Sequence, residues 1–98
     1  MEKGGWVYIL TNKYHTVLYT GVTSDLRQRT YDHQNGTYPG SFTSRYKAAK
    51  LVYYYFYDSI EDAINEEKRI KAGSRQKKIL LINQMNLSWR DLTPDIQD

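Results

Sequence analysis

The sequence predicts an α+β fold, a small three-stranded antiparallel sheet flanked by helices in the order β-β-α-β-α-α. Two short β-branched and aromatic stretches, residues 6–10 and 17–22, flank a polar turn. A third aromatic stretch, residues 50–57, stands alone downstream. The segments after the second and third stretches carry capping residues at one end and glycine at the other, which marks helices.

Taken in order, residues 11–16 hold Asn12 and polar side chains, so the first two strands form a hairpin. Thr23 and Ser24 suit an N-cap, Asp25 sits in the first turn and Gly36 offers a stop, predicting a helix over 25–35. Leu26 is its only aliphatic anchor. Residues 36–47 contain Gly36, Pro39 and Gly40 without a hydrophobic period and predict a loop. The continuous apolar run at 50–57 predicts the central strand of the sheet, covered on both faces. Asp58 or Ser59 caps the next helix, with Ser59 and Asp62 in capping-box spacing, and Gly73 ends it. A further helix is expected over 74–85. No repeat, low-complexity tract or linker interrupts the series, so residues 1–98 read as one domain.

Composition excludes whole classes. With 40% hydrophobic and 26% charged residues the chain is neither a disordered tail nor a membrane protein. Its longest apolar run, residues 51–57, is far short of the roughly 20 needed to span a bilayer. The N-terminal apolar block at 6–10 is too short for a secretory signal, so a cytoplasmic location is expected. The absence of cysteine rules out disulfides, a thiol nucleophile and thiolate zinc sites. With only His15 and His33 besides, any metal would be held mainly by oxygen, which favours magnesium or manganese.

The net charge is +3, a mild bias toward anionic partners. Its distribution is sharper: Asp58, Glu61, Asp62, Glu66 and Glu67 are followed by Lys68, Arg69, Lys71, Arg75, Lys77 and Lys78. That switch reads either as a phosphate-binding patch or as a solvated face with Glu and Lys paired one turn apart. Ten tyrosines are enough to supply both sheet packing, which accounts for most of them, and several phenol groups for chemistry or base stacking.

On a helical wheel Ile60, Ala63, Ile64 and Ile70 form one apolar arc, and Glu67 falls inside it. A carboxylate there is costly to bury without compensation, so a cation should face it, a metal ion or Lys71 one turn on, unless the position is a partly exposed edge. The preceding helix presents Arg29 and His33 on the side of Leu26, four residues apart and therefore adjacent. A guanidinium can grip phosphate oxygens through two donors, although a salt bridge would explain Arg29 equally and a surface position His33. Tyr8 and Tyr19 sit in mid-strand, where tyrosine usually packs, and a phenol is a poor base unless a cation lowers its pKa.

Together these residues resemble a known family. Val7-Tyr8-Ile9, Tyr19-Thr20-Gly21, the run Thr23-Ser24-Asp25-Leu26-x-x-Arg29 and His33 resemble the signature of the GIY-YIG nuclease superfamily. Phe42-Thr43-x-x-Tyr46, Leu51-Val52-Tyr53-Tyr54, Ala63-Ile64-x-x-Glu67-Lys68-x-Ile70-Lys71 and Asn86-x-x-Trp89-x-Asp91-Leu92 are similar to its small stand-alone bacterial subfamily, related to the nuclease domain of UvrC. The likeness runs from about residue 5 to 93.

The resemblance implies a GIY-YIG-like fold and metal-dependent DNA endonuclease activity, in repair or recombination. It implies that Tyr8 and Tyr19 line the active site, that Arg29 stabilises the phosphate, that Glu67 holds one Mg2+ or Mn2+ and that His33 assists. One tyrosine would orient or deprotonate water, its pKa lowered by nearby cations. Gly21, Tyr46 and Asn86 would support the site. Arg45, Lys47, Lys68, Lys71, Arg75, Lys77 and Lys78, with Lys50, would contact the DNA backbone without reading bases. Trp6, Val7, Thr20 and Leu87 depart mildly from the pattern, and Glu66 places an acid where relatives carry a base. Two alternatives stay open, a catalytically silent nucleic-acid-binding module and a protein-interaction domain, as do a homodimer and a protein partner.

Overall fold

The computed structural model describes residues 4–36 and 40–96. Three strands, β1 (Gly5–Thr11), β2 (Leu18–Thr23) and β3 (Lys50–Tyr57), combine with helices α1 (Leu26–Gln34), α2 (Phe42–Arg45), α3 (Ile60–Ala72) and α4 (Arg75–Met85). A 3-10 turn at Thr93–Ile96 follows. The α+β class and the antiparallel sheet are as expected. One element is additional: α2 lies in the segment read as loop, started by Ser41, whose Oγ accepts from the amide of Ser44 at 3.3 Å. Part of that loop reading, residues 37–39, lies outside the described residues.

The sheet order is β2-β1-β3, so the central strand is β1 and the expectation for β3 is corrected. An apolar run reads alike in a central strand and in an edge strand covered by something else. Here the cover is the C-terminal segment. The amide of Leu92 donates to Leu51 O at 2.7 Å, that of Leu51 donates to Asp91 Oδ1 at 3.3 Å, and Asn86 Nδ2 donates to Val52 O at 3.2 Å. These bonds satisfy the outer backbone of β3 where it begins, while Tyr55 and Phe56 near its end remain exposed. A register shift between Ile9 and Leu10 accommodates Val52.

Alternation along β1 divides the core. Val7 and Ile9 join Val52, Ala63, Ile70 and Ile82 beneath α3 and α4. Tyr8 and Leu10 join Leu26, Ala48, Leu51 and Leu92 on the opposite face. Burial of each large apolar side chain stabilises by about 1.5–3 kcal/mol. Helix α3 packs so closely that a Cβ on Gly5 would meet Ile60 Cδ1 at 2.4 Å.

Two caps differ from expectation. Asp25 caps α1, accepting from the Gln28 amide at 3.1 Å, because Thr23 Oγ1 is already bound by the amide of Asp25. Ser59 precedes α3 but makes no side-chain cap bond, so the capping box is not formed; Glu61 and Asp62 still place negative charge at the helix start. Among the described residues no helix is long and apolar enough to cross a membrane.

Candidate active site

The middle of β1 delivers Tyr8 to the α1 face, where it is fully buried. Its hydroxyl lies 3.2 Å from His33 Nε2. His33 Nδ1 lies 2.8 Å from Thr43 Oγ1, which is 3.2 Å from Ser41 Oγ. A chain of hydroxyls and imidazole therefore links β1, α1 and α2. The Arg29 guanidinium lies near enough to the same tyrosine to act on its phenol electrostatically.

Gly21 explains how the phenol fits. It stands opposite Tyr8 in the hairpin register, and a Cβ there would lie 2.4 Å from Tyr8 Oη. The missing side chain is the room the ring needs. Tyr19, two residues earlier, is only partly buried, with its ring 6.3 Å from Tyr8 and 5.7 Å from His33. Tyr19, Arg29, His33, Ser41, Phe42 and Thr43 line a concavity of about 430 Å³ open to solvent.

The protonation states follow from burial. Desolvation pushes the Tyr8 phenol up; Tyr19 and Glu67 add to this, and Arg29 opposes without prevailing. Arg29 does not lower this phenol as expected of a nearby cation: burial outweighs it, and Tyr8 keeps its proton at neutral pH. His33 moves the other way, pushed down by burial and by Arg29, with Asp32 opposing. A neutral imidazole carries one N–H, so the ring donates at one of its two hydroxyl contacts and accepts at the other.

Glu67 sits inside the buried stripe of α3, as the wheel predicts, and is 8% exposed. The cation facing it is Lys71, whose Nζ lies 2.7 Å from Oε2. Among the described residues no group of three or more His, Asp or Glu gathers to hold a metal. A closed protein cage is thus ruled out among them. A hard ion such as Mg2+ that keeps several waters and takes further ligands from phosphate does fit one buried carboxylate oxygen, provided Lys71, half exposed, yields.

The remaining site residues divide. Tyr46 is exposed, its ring 4.7 Å from Phe42. Asn86 spends its bonds on Val52 O, Arg90 O (2.8 Å) and the Arg90 amide (3.2 Å), building the final turn against β3 rather than meeting the tyrosines. Arg45, Lys47, Lys68 and Lys77 are exposed. The four other members of the basic set have internal bonds: Lys50 to His15 Nε2 at 2.9 Å, Lys71 to Glu67, Arg75 to His15 O at 2.9 Å, and Lys78 to Gly73 O at 2.8 Å. Glu66 is gripped by Arg69 through both carboxylate oxygens, which holds its carboxyl below the usual range. It lies beside Tyr53 and Tyr57, so its charge is spent at β3. The sequence assigned no role to Thr43 or Ser41, although Thr43 lies in the Phe42-Thr43-x-x-Tyr46 stretch and a serine precedes it by two positions.

Residues 4–79 match the model of the GIY-YIG catalytic domain. The chain belongs to the GIY-YIG family. Among its GIY-YIG relatives, the UPF0213 protein of Syntrophus aciditrophicus is 37% identical over 79 residues, covering 81% of this chain and 90% of that one. The UPF0213 protein of Staphylococcus saprophyticus is 35% identical over 79 residues, covering 81% and 94%. The solution structure of the UPF0213 protein BH0048 from Bacillus halodurans superposes with a TM-score of 0.57 at 28% identity, covering 97% of this chain and 99% of that one. GIY-YIG is a nuclease family, generally dependent on divalent metal. The matched GIY-YIG segment contains Tyr8, Tyr19, Gly21, Arg29, His33 and Glu67; Asn86 lies beyond it.

Proposed function

We propose that residues 1–98 act as one nuclease domain, a divalent-metal-dependent DNA endonuclease working inside the cell in repair or recombination. The observation that carries this is the Tyr8–His33–Thr43 chain, beside a solvent-facing concavity lined by Arg29, Tyr19 and His33. Arg29 and the partly buried Tyr19 face the phosphodiester. Arg29 binds the charge that grows on the phosphate oxygens, and Tyr19 orients the attacking water. Tyr8, sealed and protonated, holds His33 in place. Neutral His33, joined to a hydroxyl at each ring nitrogen, takes up the released proton through that chain. Glu67 would hold Mg2+ or Mn2+, which when bound polarises the phosphate and neutralises the departing oxygen. Exposed Arg45, Lys47, Lys68 and Lys77 track the DNA backbone.

The test is nicking of supercoiled, single-stranded, flapped and branched DNA with Mg2+ or Mn2+, comparing wild type with Glu67→Ala and Arg29→Ala. Metal-dependent cleavage abolished by both substitutions in folded protein supports the reading. No cleavage by wild type, or full cleavage by Glu67→Ala, overturns it. The second reading, a silent nucleic-acid-binding module, is favoured by one observation: Lys71 already satisfies Glu67. Salt-sensitive DNA binding without cleavage would select it.

A further inference from the structure

Three aromatic rings lead outward from the candidate site. Tyr19 lies beside His33 at the wall of the concavity, Phe42 stacks on Tyr19 at 5.9 Å with 28° between planes, and Tyr46 lies 4.7 Å beyond Phe42. The last two are 43% and 45% exposed, and neither belongs to a core cluster. An exposed phenylalanine next to an exposed tyrosine is not explained by packing, since both rings leave much of their surface in water. Phe42 begins α2 and Tyr46 caps its end, between exposed Arg45 in the helix and exposed Lys47 just beyond it. Cations for phosphate alternate here with rings that can face a planar base. A duplex hides its base faces in the stack, so a protein that tracked only its backbone would have no use for these rings.

We propose that Phe42 and Tyr46 form a stacking platform for an unpaired nucleobase flanking the phosphate held at Arg29, so that the substrate is a strand with unpaired bases rather than intact duplex. This rests on the nucleic-acid reading above and adds the substrate class. Arg45 and Lys47 hold the neighbouring phosphates, and the strand leaves the concavity over the two rings. Because every base has a π face, the platform is tolerant of sequence.

The test is fluorescence anisotropy in EDTA, where no cleavage occurs, with labelled 15-mers of deoxythymidine, of uridine, of abasic deoxyribose and of blunt duplex. Wild type should bind the deoxythymidine or the uridine strand more tightly than the abasic strand and the duplex, and the tighter of those two names the strand. Phe42→Ala and Tyr46→Ala should each weaken that binding about 5- to 100-fold and leave duplex binding unchanged. Phe42→Leu, which keeps apolar bulk without a π face, should fail like Phe42→Ala, and Phe42→Trp should bind like wild type. Equal affinity for abasic and base-bearing strands, a preference for duplex, unaltered binding by the alanine variants, or no binding at all would each overturn the platform. Failure of the nuclease reading looks different: base-dependent binding through the rings, with no cleavage when Mg2+ or Mn2+ is added.

Discussion

Lys71 Nζ lies 2.7 Å from Oε2 of Glu67, within one turn of α3. If Glu67 holds the divalent ion proposed above, the ammonium and the ion would compete for one carboxylate. Replacing Lys71 by Met leaves Glu67, 8% exposed, without its cation. We expect a loss of about 1–2 kcal/mol in metal-free buffer, between the values for exposed and buried pairs. Millimolar Mn2+ should raise the melting temperature of this variant more than that of wild type. Equal shifts in the two proteins would mean that Glu67 is not the metal ligand.

The close approach of Gly21 to Tyr8 makes a second prediction. A methyl group at Gly21 would stand 2.4 Å from the phenol oxygen, so either β2 or the ring must move. Gly21→Ala should cost about 1–3 kcal/mol in urea unfolding, the usual range for overpacking. Cleavage should fall further than the folded fraction does, because Tyr8 carries His33.

His33 predicts a pH dependence. Its pKa in the folded protein is lower than in the unfolded chain, so the unfolded chain binds the extra proton first. Stability is complete above the unfolded value of about 6.5 and falls as pH drops from there through the folded value. His33→Gln should flatten this decline in urea midpoints measured from pH 7.5 to 5. His15 is also pushed down, by slight burial and by Lys50, so His15→Gln is the control and should remove a smaller part of the slope.

Asn86 should behave as a clamp. Asn86→Ala removes donors to Val52 O and Arg90 O, and we expect a loss of about 2–3 kcal/mol in urea unfolding. Cleavage per folded molecule should be unchanged. A fall in cleavage without a fall in stability would move Asn86 into the site.

What the sequence made legible was what short periods encode. Glu67 stood out because the spacing of Ile60, Ala63 and Ile70 fixes which way α3 faces, and the hairpin because residues 6–10 and 17–22 lie close in sequence. The edge position of β3 was not legible, since its cover comes from Leu92 and Asp91, some 40 residues later, through backbone bonds. Nor was the diversion of Arg75 and Lys78, whose partners are the backbone carbonyls of His15 and Gly73. The raised phenol of Tyr8 depends on burial that only the assembled faces of α1 and the sheet provide.

The order β2-β1-β3 also dictates how this chain must be made. On the ribosome β1 and β2 emerge together and can close at once, but the second side of β1 waits for Tyr57. The outer side of β3 waits longer, until Asp91 and Leu92 have cleared the exit tunnel. A nascent chain stalled between those points presents a bare aromatic strand to its neighbours on the same message until Asp91 and Leu92 close it.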